Sequence, residues 1–344
     1  MASGRTLALG IALALAGSLV ATIAPSAESA PPSPGSPRAT VLVSGLEGAL
    51  GSTVGPDGAL YVPEGAAGRI SRVDPQTGEI TTFASGLPKA LPAIGIGGAT
   101  DVAFIGTTAY VLVTLVSSDV GGSDFDGIYR VDGPDSFTVI ADIGDFNINN
   151  PPTIPFPFFV PSGVLFALQT FHDGFLVTDG HLNRVLRVTR DGEINVLIAF
   201  GDIVPTGLAV LGNTVYLAEA GPVPHLPRNG KVVSFTVGPK PPIATKVASG
   251  APLLVDVEFG RGRTLYALSQ GPGVPGAPPG SPAQPDSGAL VKVNADGTLT
   301  VITAGLDRPT SLEFIGTTAY VVTLTGDILK IEDVSGPPFG APGA

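Results

Sequence analysis

Ile105-Gly106-Thr107-Thr108-Ala109-Tyr110-Val111 returns as Ile315-Gly316-Thr317-Thr318-Ala319-Tyr320-Val321, more than two hundred residues later. Each copy reads as the turn and second strand of a β-hairpin, because a glycine follows an apolar run and a β-rich run follows the glycine. Looser copies lie between and before them. They are Gly55-Pro56-Asp57-Gly58-Ala59-Leu60-Tyr61-Val62, His172-Asp173-Gly174-Phe175-Leu176-Val177, Gly212-Asn213-Thr214-Val215-Tyr216-Leu217 and Arg263-Thr264-Leu265-Tyr266-Ala267. Taking the aromatic residue of each as an anchor gives Tyr61, Tyr110, Phe175, Tyr216, Tyr266 and Tyr320, at intervals of 49, 65, 41, 50 and 54 residues. That period fits one four-stranded propeller blade with variable loops.

The fourth unit shows the pattern in full. Four runs, Thr206–Val210, Val215–Ala218, Lys231–Thr236 and Ala244–Ala248, are short, β-rich and separated by Gly, Pro and Asn. The sixth unit lacks its last strand, since Ile328–Glu332 runs into a Gly/Pro-rich end. A spare strand, Thr40–Leu46, stands at the start and matches the fourth strands of the other units. The expectation is an all-β, six-bladed β-propeller of four-stranded blades over residues 40–334, closed by the N-terminal strand completing the last blade. No sustained 3.6-residue apolar period follows residue 30, so helix content should be minor.

The flanks carry an address. Arg5 precedes an apolar run from Leu7 to Val20, and small residues follow. Residues 1–30 are therefore expected to be a signal peptide, 31–39 a Pro-rich linker and 335–344 a flexible tail. The implied location is secreted, periplasmic or extracellular, with no membrane attachment once the signal is removed. The 344 residues hold 47 Gly and 34 Pro, a disorder-like fraction offset by a 44% hydrophobic content able to form a core. A net charge of −11 argues against a nucleic-acid partner. The absence of Cys excludes disulfides, thiolate metal sites and cysteine nucleophiles. No G-x-S-x-G elbow, Walker loop or H-E-x-x-H motif is present.

In a propeller blade the innermost strand lines a central channel, and alternate connections fall on opposite faces. Every long insertion belongs to one face, including 116–127, 218–230, 269–288, 86–99 and 144–162. Insertions gathered on one face mark the expected binding face. The candidate ligand-binding residues there are Phe156, Phe158, Phe159, His181, His225, Thr206 and Thr310. Phe156-Pro157-Phe158-Phe159 reads as an aromatic lip or as a plug folded back on the third blade. His172 falls on the opposite face. Candidate oxygen ligands for Ca²⁺ or Mg²⁺ at the channel mouth are Glu64, Asp101, Asp179, Asn183, Glu219 and Asp256. The competing reading has these carboxylates cap loops or pair with Arg69, Arg184 and Lys231. Asp124-Phe125-Asp126-Gly127 opens like a calcium loop, but Gly133 stands where the Glu is required.

Gly174-Phe175-Leu176-Val177-Thr178-Asp179-Gly180-His181-Leu182-Asn183-Arg184-Val185 resembles the blade phrase of NHL-type propellers. With Pro205–Val210, Val215–Gly221, Pro309–Phe314 and the signal peptide, the chain resembles the ScyD/ScyE family from about Val41 to Val334. The resemblance implies an exported six-bladed propeller and leaves its substrate open. The first unit departs from the pattern, with Gly48-Ala49-Leu50-Gly51 where an Asn-Pro-Arg-Gly-like entry is usual. The expected role is a monomeric binding or scaffold module, taking a small molecule or a protein on the long-loop face. The alternative is a Ca²⁺- or Mg²⁺-dependent enzyme acting at the channel mouth on a small metabolite, aromatic ones included.

Overall fold

The computed structural model describes residues 37–334 apart from 155, 157, 158 and 279. The expected signal peptide, most of the linker, the tail and Phe158 lie outside the described residues. Six antiparallel four-stranded sheets surround a central channel, confirming the six-bladed propeller. Their innermost strands are Thr53–Val54, Gly98–Ile105, Leu165–Phe171, Pro205–Leu211, Leu254–Phe259 and Pro309–Ile315, in blades one to six. In blades one to five the four strands follow one another outward in chain order. Blade six takes its outermost strand, Ala39–Val43, from the other end of the chain, paired antiparallel with Ile328–Ile331.

The core is divided rather than single. Six buried apolar clusters fill the six gaps between neighbouring blades. The gap between blades two and three, for example, holds Tyr110, Leu112, Ile128, Phe175 and Val177. Side chains alternate between the two faces of a strand, so each blade sends one set forward and the other back. Both faces are covered, which is why the second strands read as unbroken apolar runs such as Tyr110-Val111-Leu112-Val113.

That alternation corrects the anchor in blade three. Tyr61, Tyr110, Tyr266 and Tyr320 each pack forward against the next blade, but Phe175 packs backward against Tyr110 at 4.7 Å. The forward-facing equivalent is Leu176, three residues before the strand end at Asp179, as Tyr61 is before Glu64. A one-residue offset reverses every side chain of a strand, so the aromatic alone was a misleading ruler there.

Five of the six inner strands contain a bulge, seen as a register shift near Thr100, Phe166, Thr206, Val255 and Thr310. Threonine hydroxyls fill three of them. Thr100 Oγ1 donates to Leu112 O at 3.2 Å, Thr310 Oγ1 to Val322 O at 3.2 Å, and Thr206 Oγ1 sits between Ala218 O and Leu254 O.

Two aspartates join the inner strands across blades. Asp101 accepts Val102 N–H at 2.9 Å within its own strand and Leu168 N–H at 2.7 Å in blade three. Asp256 does the same with Val257 at 2.8 Å and with Leu312 of blade six at 2.7 Å. On its other side each carboxylate fills the space that a Cβ would need at a glycine of the preceding blade, Gly51 and Gly207 respectively.

One α-helix, Ile143–Asn149, lies in the long connection from blade two to blade three. Asp142 caps it by accepting Asp145 N–H at 2.9 Å.

Replacing Gly207 with Ala should drive a methyl into Asp256 and disturb its bond to Leu312. The expected loss is about 1–3 kcal/mol, as for overpacking elsewhere. Gly201→Ala enters open space at an ordinary backbone conformation and should change stability by less than about 0.5 kcal/mol. Urea denaturation of the two variants compares them directly, and equal midpoints would contradict the packing described.

Candidate functional site: the channel and its mouth

A cavity of about 270 Å³ occupies the channel and opens among the long loops. Three tiers can be read down the inner strands from the mouth. The mouth is mainly apolar, with Leu50, Ile96, Leu115, Leu253 and Leu324 joined by His181 and His225. The middle tier is Gly51, Asp101, Ala167, Gly207, Asp256 and Ser311, one from each blade. Two residues further along each strand come Thr53, Ala103, Gln169, Ala209, Glu258 and Glu313. These floor residues stand opposite the anchors, so Glu258 pairs with Tyr266 and Glu313 with Tyr320. No Lys or Arg is among the residues that line the cavity.

The carboxylates of the channel differ in how they are held. Asp101 and Asp256 each take two backbone N–H donors. Burial nonetheless pushes the Asp101 carboxyl up to about 8 and that of Asp256 up to about 7. Glu258 Oε1 accepts only Phe259 N–H, at 2.6 Å, and burial raises its pKa, helped by the charge of Asp256. Glu313 is raised well above the usual carboxylate range by burial, then by the charges of Glu258, Asp256 and Asp101. It makes no hydrogen bond to the described residues.

The two mouth histidines are neutral at neutral pH. Burial lowers His181 to about 4 and also lowers His225. His225 Nδ1 lies 2.7 Å from the Gly221 carbonyl. A carbonyl only accepts, so Nδ1 carries the proton and Nε2 is left as an acceptor. His172 lies in the tight turn after Phe171, on the opposite face.

The remaining sequence candidates are spread around the ring. Glu64 receives Arg69 Nε at 2.8 Å, Ser71 Oγ at 2.5 Å and Glu47 N–H at 2.7 Å. Its burial would raise its pKa, but the Arg69 and Ser71 bonds outweigh that and hold it below the usual range. Asp179, raised to about 6 by burial, receives Asn147 Nδ2 at 2.7 Å and the N–H groups of Val164 and Leu182. Asn183, at φ 53°, accepts from Ile203 and Val204 N–H, both at 2.8 Å. Burial brings Glu219 to about 7 against the pull of Lys231, its partner on the adjacent strand. Arg184 reaches Asn147 Oδ1 at 2.6 Å and Asn150 O at 2.8 Å, fixing the helix to blade three.

Glu64, Asp179 and Asn183 thus belong to loop and blade-edge networks, and of the six oxygen candidates only Asp101 and Asp256 line the channel. Among the described residues no group of three or more His, Asp or Glu is arranged to hold a metal ion. Thr206 and Thr310 line the cavity with their hydroxyls committed to the bulges. Phe156 is partly buried and Phe159 is 50% exposed, and neither is part of the cavity wall. Asp126 is buried and closes its own loop, accepting Val116 N–H at 2.8 Å and Ser117 Oγ at 2.6 Å. Sequence reading missed Glu258 and Glu313. Aligning the units on their anchors and stepping back seven or eight residues onto the inner strand would have found both.

The fold defines a six-bladed β-propeller with a cavity of about 270 Å³ in its channel. No protein-family model matches the chain, and no curated protein matches it in sequence. Solved propellers do match it in shape. A gluconolactonase of Xanthomonas campestris is 12% identical, with a TM-score of 0.59 over 90% of this chain and 99% of that one. The PQQ-bound aldose sugar dehydrogenase of Streptomyces coelicolor is 15% identical, with a TM-score of 0.58 over 88% and 99%. Virginiamycin B lyase of Staphylococcus aureus is 13% identical, with a TM-score of 0.51 over 86% and 98%. At these identities the likeness is one of fold.

The raised carboxyls set the direction of a pH effect. A group that keeps its proton in the folded state but loses it in the unfolded state near pH 4 makes folding less favourable as pH rises. For Asp101 and Asp256 this loss accumulates from about pH 4 until their folded-state values of about 8 and 7. Glu313→Gln removes one such group. Its melting temperature should exceed that of the parent by a margin that grows from pH 5 to pH 8. A margin that is constant or shrinks would show that Glu313 is not buried among like charges.

Proposed function

We propose that this protein binds a small organic molecule in the channel, entering from the long-loop face. The cavity carries this reading: about 270 Å³ at the centre of the ring, apolar at its mouth, with few polar groups converging below. Such a concave, mostly apolar site with a limited polar set is the usual form of a small-molecule pocket. The ring of tied inner strands supports it further, since a preformed cavity spares the ligand the cost of ordering its own site. The resemblance of the blade phrases to ScyD/ScyE propellers, together with the Arg5 and Leu7–Val20 pattern, favours an exported protein of that kind acting outside the cytoplasm. A binding role needs only the cavity. A metal-dependent reaction needs at least three free oxygen donors, and Glu64, Asp179 and Asn183 already spend theirs on neighbouring N–H and guanidinium groups.

N-phenyl-1-naphthylamine, a neutral fluorophore that brightens in apolar surroundings, should bind saturably at one site per chain. Ala167→Trp, which puts an indole into the channel from blade three, should weaken that binding at least tenfold while the melting transition stays cooperative. Undiminished binding would place the fluorophore elsewhere and remove the basis of the proposal.

A further inference from the structure

The floor of the channel is asymmetric in a way that the fold does not require. Four blades place Thr53, Ala103, Gln169 and Ala209 at this tier, and two adjacent blades place Glu258 and Glu313 there. Asp101 and Asp256, one tier up, tie blades together through backbone N–H groups. Glu258 and Glu313 tie nothing. Glu258 bonds only to the residue after it, and Glu313 has no hydrogen bond at all among the described residues. Two half-buried carboxyls set side by side on one narrow channel, without a counter-charge, repel each other and hold on to protons, which costs stability. Alanine or threonine would fill the tier without that cost, as in the other blades.

We infer that the channel ligand carries a protonated amine, held between Glu258 and Glu313, with its apolar body filling the mouth. This rests on the channel-binding reading above and names the ligand class for that site. Three further features agree. No Lys or Arg is among the described residues that line the cavity, so no cationic side chain there pairs with the two glutamates. Arg69, Arg184 and Arg308 are engaged elsewhere, with Glu64, with Asn147 and Asn150, and with Asp307 respectively. The mouth contributes aliphatic side chains and neutral histidines, of which His225 presents an acceptor nitrogen rather than a charge. The lining is therefore complementary to an amphiphilic cation, whose ammonium can replace the protons that these carboxyls otherwise hold, and it offers an anion no cationic partner.

Three molecules of similar shape separate the possibilities: 2-phenylethylamine, 2-phenylethanol and 3-phenylpropanoate. Each is titrated by calorimetry and by displacement of N-phenyl-1-naphthylamine. The amine should bind at least tenfold more tightly than the alcohol, and the carboxylate more weakly than both. In the Glu258→Gln/Glu313→Gln variant, shown to be folded by its melting transition, the advantage of the amine should fall to threefold or less. Equal binding of amine and alcohol would overturn the cation assignment and leave the channel reading in place. An amine preference that survives in the double variant would overturn the assignment to Glu258 and Glu313. Failure of all three to displace a bound fluorophore would overturn the amine inference alone. Failure of the fluorophore itself to bind would remove the channel reading as well.

Discussion

The inner edge of every propeller blade presents backbone N–H and C=O groups that no further strand can pair. Asp101 and Asp256 solve this problem at two places where it matters most. Each carboxylate reaches sideways to an N–H of the next blade, at Leu168 and Leu312, while pressing against a glycine of the blade before. Blades one, two and three are joined by the first, and blades four, five and six by the second. The two sets are built alike, Gly51 with Asp101 and Gly207 with Asp256, which makes the ring look like two halves of three blades. Each carboxyl accepts two backbone N–H groups, and the pair ties neighbouring inner strands together at the wall of the channel.

The same devices explain the electrostatics of the site. Holding carboxylates inside the ring raises their proton affinity, and the tied pair lends its charge to Glu258 and Glu313 below. The groups that tie the ring and the two glutamates below them thus share a field, one tier apart. At the mouth the chemistry changes, because long loops from several blades supply aliphatic side chains and two uncharged imidazoles.

The repeat was legible in the sequence because each blade must bury the same faces against its neighbours, and a turn glycine with an anchor residue is the simplest way to do so. The closing strand was legible too, from the missing last strand after Ile331 and the spare one near Val41. The ruler failed at Phe175, where an aromatic residue occupies the opposite face of its strand and Leu176 holds the true position. The helix Ile143–Asn149 was hidden because seven residues are too few to show a period, although Asp142 and Asp145 form a capping pair at its start. Candidate site residues were chosen at strand ends, and three of them, Glu64, Asp179 and Asn183, proved to be holding loops. Glu258 and Glu313 were passed over because a single charged residue inside an inner strand has no local signature. Only the alignment of all six blades shows that two of them carry a charge where four do not.

Closure of the ring by Ala39–Val43 carries a kinetic consequence. The pairing of Ala39 with Ile331 spans almost all of the described residues, so the N-terminal strand of the propeller has no partner until the third strand of blade six is made. Bringing such distant segments together carries the loop-closure entropy of the intervening residues, and folds dominated by long-range pairings assemble slowly. Until that moment blade six presents an open outer edge at Ile328–Ile331. The seam between blades six and one therefore draws on both ends of the propeller, with Val43 and Leu46 packed beside Tyr320 and Val322.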